Sequence, residues 1–311
     1  MITPLLQTIQ SGGPQALRAA ARLMTLLEDN PERFAELPTK APSPRLILGI
    51  TGAPGAGKST LADALIAHHR RHRPDKRIGV IAVDPSSPFT GGALLGDRVR
   101  MMRHATDPMV FVRSLASRGH LGGLALGVKG VLHVMGLMGI DVVFVETVGV
   151  GQSEVEVVRV ADAVAVVLAP GQGDSVQLLK AGLMEIGDFI VINKADREGA
   201  TELHQQVLAA LRLESDTPRP VALVSAAEQT GIDTLATMIE AHAACRAAER
   251  QARREAARRL DLREAVLEAA RRRMEATLDD CAPVREALDR LAAGEGDLDT
   301  LVSLLLNHIN R

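Results

Sequence analysis

Eight consecutive residues, Gly52-Ala53-Pro54-Gly55-Ala56-Gly57-Lys58-Ser59, have the makings of a phosphate cradle. The glycines let the backbone wrap an anion with its N–H groups turned inward. Lys58 can reach β- and γ-phosphates, and Ser59 can offer its hydroxyl to Mg²⁺, with Thr60 following on the opening helix. The strand-like run RLILGIT (45–51) comes just before, as a P-loop requires. A second cluster, Asn193-Lys194-Ala195-Asp196, begins 135 residues after Lys58, at the end of the run DFIVIN. A carboxylate at Asp196 can accept both N1–H and the exocyclic N2–H of guanine. Adenine lacks that donor pair, so such a site rejects it strongly. The Lys194 stem can cover one face of the base. After the next apolar run, Ser225-Ala226 can present a backbone N–H to the guanine carbonyl oxygen.

Acids that could hold a metal stand at other strand ends. DVVFVE ends in Glu146, and Thr147-Val148-Gly149 follows, with a glycine whose N–H can approach a γ-phosphate. Asp84 ends RIGVIAVD, and Asp97 lies in TGGALLGDRVRM. Carboxylates in these places suit Mg²⁺ or its waters. The alternative for Asp84, before Pro85, is an N-cap or turn residue, and for Asp97 a surface helix charge. His68, His69 and His72 end the helix predicted after the P-loop. His68 and His72 are four apart, a metal-ligand spacing. No cysteine or acid joins them within the run, and they read as cations at a helix C-terminus. His120, in the Gly-rich SRGHLGG, is a candidate for contact with the nucleotide or a partner.

The elements that must position these residues follow from the apolar pattern. Continuous runs at 45–51, 77–84, 109–114, 141–147, 163–169, 188–193 and 220–225 read as strands buried on both faces. The spacers between most of them are long enough for crossover helices. The prediction is an α/β fold with a doubly wound, mainly parallel sheet of about seven strands. Residues 1–37 have helical spacing and end at the proline-rich LPTKAPSPR. Residues 246–273 hold ten Arg and five acids with no Gly or Pro, which predicts one long helix, with shorter helices near 283–292 and 297–309. The expected organisation is a helical extension over 1–40, an α/β domain over 41–245 and a helical arm over 246–311.

Composition removes other functions. There is no Trp, no Tyr and only five Phe, which excludes aromatic platforms for bases or quaternary amines. The net charge of −2 gives no reason to expect a polyanion. In the Arg-rich segment, Glu249 with Arg253 and Glu255 with Arg259 damp the basic field, so it reads as a packing arm rather than a nucleic-acid arm. Two cysteines make neither a disulfide framework nor a zinc site. The start lacks a signal-peptide pattern, and no run of about 18 apolar residues exists. A cytoplasmic protein with neither a nucleic-acid nor a membrane partner is expected.

Three long segments resemble one family: VDPSSPFTGGALLGDRVRM (83–101), VETVGVGQSEVEV (145–157) and PGQGDSVQLLKAGLMEIGDFIVINKAD (170–196). They are similar to the MeaB/MMAA GTPases, chaperones of adenosylcobalamin-dependent acyl-CoA mutases. That family lies in the SIMIBI class of dimerising P-loop NTPases, with signal-recognition and nickel-insertion proteins. The resemblance covers about residues 12–245. It implies that Ser59, Asp84, Asp97 and Glu146 organise Mg²⁺ beside GTP or GDP. It implies two switch segments, 84–103 and 147–160, and a third mobile segment near 170–181 with Asp174 and Lys180. Arg100, three residues beyond Asp97, and Lys180 are then the cations placed to offset charge on phosphate oxygens. Gln152 sits three residues past Gly149, too far on to be expected to position the attacking water. A low intrinsic rate raised by the partner is the expectation. The implied partners are methylmalonyl-CoA mutase or a close relative, its adenosyltransferase, and a second copy through the C-terminal helices. The implied role is gating of cofactor delivery and reactivation. Two readings compete: a nickel-type maturation GTPase, which wants a Cys/His cluster, and a small-molecule kinase or transport ATPase, which wants adenine.

Overall fold

All seven apolar runs become strands of one sheet in the computed structural model, which describes residues 2–38, 42–85, 104, 106–117, 123–147, 160–171, 187–214 and 219–309. They are β1 (Leu46–Gly52), β2 (Ile78–Pro85), β3 (Val110–Ser117), β4 (Val142–Thr147), β5 (Ala163–Leu168), β6 (Phe189–Ile192) and β7 (Val221–Leu223). The order is β3-β2-β4-β1-β5-β6-β7, and every pairing is parallel. The helices described are α1 (Ile2–Ser11), α2 (Pro14–Asp29), α3 (Lys58–His72), α4 (Gly123–Leu137), α5 (Ala200–Glu214), α6 (Ile232–Cys245), α7 (Ala247–Asp280), α8 (Ala282–Ala292) and α9 (Leu298–Ile309).

Parallel strands need both faces covered, and here three clusters of apolar side chains cover them. On one face, Leu48, Ile50, Val80, Phe144, Val167 and Val191 pack against α3 and α6 through Leu61, Leu65, Ile66, Ile232, Leu235 and Ile239. On the other, Ile47, Ile81, Val143 and Val145 meet α4, while Val164, Val166, Ile190 and Ile192 meet Leu203, Val207 and Leu211 of α5. The sheet is thus doubly wound.

The N-terminal helices belong to that second face. Leu23, Met24 and Leu27 of α2 are fully buried in the cluster that holds Ile47 and Val143, and Ile2, Leu6 and Ile9 of α1 join them. Each such side chain stabilises the fold by about 1.5–3 kcal/mol relative to exposure. The helical reading of 1–37 resolves into α1, α2 and a 3₁₀ turn over Pro31–Glu36. The break at Gly12-Gly13, both with positive φ, is what separates α1 from α2.

The long C-terminal helix runs to Asp280, seven residues beyond its expected end. At about 1.5 Å per residue its 34 residues span roughly 50 Å. It is tied to the sheet by Arg254, whose guanidinium pairs with Asp162 (Nε–Oδ1 2.8 Å). Asp162 also accepts the Ile47 N–H at 2.8 Å, so one carboxylate joins α7 to the start of β1. Arg246 pairs with Asp188 at 3.3 Å. Arg254 and Arg246, neither of which is in the pairs expected along the helix, thus hold acids of the sheet domain. At the far end, Val284, Leu301 and Leu305 form a small separate core with Met274 and Leu278.

Candidate nucleotide site

Because every strand runs the same way, every strand end that carries a candidate residue lies along one edge of the sheet. That edge is where ligands bind in doubly wound folds. Gly52 ends β1, Glu146 and Thr147 end β4, Asn193 follows β6, and Ser225 follows β7.

The loop 52–57 links β1 to α3 and puts the helix N-terminus, with its unpaired N–H groups, behind the cradle. Gly52 and Gly57 are required there. Gly52 has φ +139°, and a Cβ would sit 2.1 Å from the Val167 carbonyl oxygen of β5. Gly57 has φ +90°, and its Cβ would sit 2.4 Å from Asn193 Nδ2. Pro54 and Gly55 form the exposed lip of the loop. Lys58 and Ser59 are buried, and Thr60 is exposed. Lys58 Nζ donates to the carbonyls of Gly52 (2.8 Å) and Ala53 (3.0 Å), so the ammonium is held inside the loop.

Ser59 Oγ donates to Glu146 Oε1 at 2.5 Å, with both residues buried. The register sets Glu146 opposite Ile50 and Ala82, and Asp84 lies two residues beyond Ala82. A hydroxyl and a carboxylate side by side are hard oxygen donors that fit Mg²⁺. On the opposite sheet face, Thr147 Oγ1 donates to Thr51 Oγ1 at 3.2 Å.

The guanine-side residues are bound to the P-loop directly. Asn193 Nδ2 donates to the carbonyls of Ala56 (2.9 Å) and Gly57 (3.3 Å), while its Oδ1 accepts the Ala226 N–H at 3.1 Å. Lys194, with φ +60°, lays its chain across the loop so that Nζ donates to the Gly55 carbonyl at 2.6 Å. Asp196 is exposed, and Ser225 Oγ donates to its Oδ1 at 2.5 Å. That hydrogen bond, with smaller help from Arg197 and Lys194, holds the Asp196 carboxyl below its ordinary pKa.

In the Ser225-Ala226 pair, the Ala226 N–H donates to Asn193 and the Ser225 N–H donates to the Thr230 carbonyl at 3.1 Å. Within the short turn from Ser225 to Thr230 each backbone N–H donates to the other's carbonyl at 3.1 Å, while the buried Ala226 N–H is satisfied from outside the turn by Asn193. Of the remaining expected residues, Asp97, Arg100, His120, Gly149, Gln152, Asp174 and Lys180 lie outside the described residues, and for Asp84 only the backbone is described.

Some contacts had no signal in the sequence. His104 pairs with Asp63 of α3 at 2.8 Å, fixing the residue that follows the first expected switch segment. Asp233 of α6 reaches His68, 165 residues away. Arg71 of α3 donates to Gln229 of the β7–α6 turn at 3.4 Å.

A family model described as methylmalonyl Co-A mutase-associated GTPase MeaB matches residues 21–279. The chain belongs to the MeaB family. MeaB-family relatives include GTPase ArgK of Escherichia coli, 42% identical over 233 residues, which are 69% of this chain and 69% of ArgK. A second relative is named fused isobutyryl-CoA mutase, from Geobacillus kaustophilus. It is 38% identical over 218 residues, 67% of this chain but 20% of that protein. Among solved structures, that of a protein named LAO/AO transport system kinase superposes with a TM-score of 0.65 at 27% identity, covering 100% of this chain and 98% of that one. The P-loop and the parallel sheet are thus those of a MeaB-type GTPase.

Proposed function

We propose that this chain is a Mg²⁺-dependent GTPase whose nucleotide state sets its affinity for an adenosylcobalamin-dependent acyl-CoA mutase, gating cofactor delivery and reactivation. The observation that carries the mutase reading is the relative named fused isobutyryl-CoA mutase, where the match is one fifth of a longer protein. A partner held on the same chain in one relative is a natural free partner in another.

In this reading the P-loop N–H groups and Lys58 hold the β- and γ-phosphates, and Asp196 reads guanine. Lys58 leaves the Gly52 and Ala53 carbonyls for the phosphates, exchanging two neutral acceptors for charged ones. Mg²⁺, when bound, would neutralise phosphate charge, with Ser59, Glu146, Asp84 and Asp97 as its residues. Gly149 would offer its N–H to the γ-phosphate. Arg100 and Lys180 would stabilise charge developing on the transferred group in the complex with the mutase, a contribution worth up to about 10³–10⁵ in rate. Hydrolysis alone is then slow. The C-terminal arm would pair two copies.

The test is co-purification with candidate mutases in GDP and in a non-hydrolysable GTP analogue. Nucleotide-dependent association with one of them, and GTP turnover raised by that mutase and lost in Arg100→Ala or Lys180→Ala, is the expected result. No association in either nucleotide state removes the chaperone reading. Because one structural relative is named a kinase, nucleotide competition belongs beside it. ATP displacing labelled GDP as well as GTP does would favour that reading instead.

A further inference from the structure

We propose that His68, His72 and Asp233 form a binding site for a borderline divalent transition-metal ion such as Zn²⁺, at the end of α3 opposite the P-loop. The site is separate from the nucleotide residues, roughly 20 Å away along the α3 axis. His68 and His72 lie one turn apart on the same face of the helix, and their rings stack with centroids 4.2 Å apart. Asp233, near the start of α6, meets them from across the packed interface of the two helices. One ligand atom from each of the three lies within 4.8 Å of the other two.

The hydrogen bonds orient the rings for this. His72 Nδ1 lies 2.9 Å from the His68 carbonyl oxygen, which can only accept. The proton is therefore on Nδ1, and Nε2 is the nitrogen with the lone pair. An imidazole fixed in this way by a backbone carbonyl is the usual arrangement of a metal ligand. His68 Nδ1 and Asp233 Oδ1 share a proton at 2.7 Å. A metal ion would take that proton's place, with the proton moving to Nε2 of the same ring.

Ligands around Zn²⁺ sit about 3.3 Å apart for bonds of about 2.0–2.1 Å. His72 and Asp233 are exposed, so closing the small remaining distance displaces no packed neighbour. Two imidazoles and one carboxylate select Zn²⁺, Ni²⁺, Co²⁺ or Cu²⁺ over Mg²⁺. Three protein ligands leave a fourth position to water. A mere helix-end cation role needs neither the second stacked ring nor an acid brought from another helix.

The test uses the tag-free, full-length chain without nucleotide, in excess Mg²⁺. Zn²⁺ is titrated by calorimetry, and Co²⁺ is followed through its visible ligand-field absorption. The expected result is one ion per chain, bound at micromolar strength. Affinity falls at least tenfold in His72→Ala and in Asp233→Asn. It is unchanged in Cys245→Ser/Cys281→Ser, which removes the thiols as alternative ligands. Both site variants alter exposed side chains, and metal-free melting curves matching wild type show that they fold. Binding weaker than millimolar, or undiminished binding in either site variant, overturns the proposal.

Discussion

Asn193 uses both ends of its amide on the protein, tying the P-loop carbonyls to the Ala226 N–H. That leaves Asp196, exposed beside it, as the group free to read a base. Replacing Asp196 by Asn turns one acceptor into a donor, which clashes with guanine N–H groups but pairs with the C2 carbonyl of xanthine. Asp196→Asn should lower GDP affinity by about a hundredfold or more and raise xanthosine diphosphate affinity, read by competition against a fluorescent nucleotide.

The pH dependence of that binding follows from Ser225. Its hydrogen bond favours the ionised carboxyl and sets the folded pKa below the ordinary 3.8. The charge is therefore complete above about pH 5 and is lost only as pH falls through the lowered value. The Asp196 contribution to GDP affinity should stay level from about pH 8 to pH 5. In Ser225→Ala the acid decline should begin at higher pH, and identical acid limbs would show that Ser225 does not act this way. At this scale the P-loop and NKAD were legible because each is contiguous, with its chemistry set by neighbours in sequence. The Asn193 clamp was half legible: the motif names the residue, but only the fold says that its partners are Ala56 and Gly57. Asp233 beside His68 was not legible, because nothing local records which helices the fold will pack together.

Among elements, the strands were the most legible part. Continuous burial on both faces writes a continuous apolar run, and the observed bounds fall within three residues of the expected ones. Strand order is not written in any run, since β1 lies between β4 and β5 only through crossovers. The role of α2 was also hidden, because helical spacing in 1–37 says that one face is buried but not against what. Leu23 is fully buried against the sheet face, whereas Leu17 is 52% exposed. Leu23→Ala should cost about 2–5 kcal/mol and Leu17→Ala close to nothing, measured by chemical denaturation. Equal, small effects would make α2 a loosely attached extension.

For the molecule as a whole, the Arg254–Asp162 pair joins the C-terminal helices to the sheet. Asp162 has a side chain only 4% exposed and Arg254 one that is 24% exposed. Arg254→Ala leaves the carboxylate with the Ile47 N–H but no cation. A fully buried pair broken this way costs roughly 3–5 kcal/mol, and partial exposure reduces that to about 2 kcal/mol. The expected outcome is a lower denaturation midpoint, with nucleotide affinity retained because the latch lies at the opposite edge of the sheet from the P-loop.

The central place of β1 has a consequence during biosynthesis. Its first residue pairs with Val142 on one side, and its other neighbour starts at Ala163. At about 5–20 residues per second, the nascent chain carries this strand for roughly 5–20 s before either neighbour has been made. All seven of its residues end up buried, so until then it is an apolar ribbon with two open edges. The strand that delivers the P-loop is thus the stretch most in need of shielding while the ribosome is still at work.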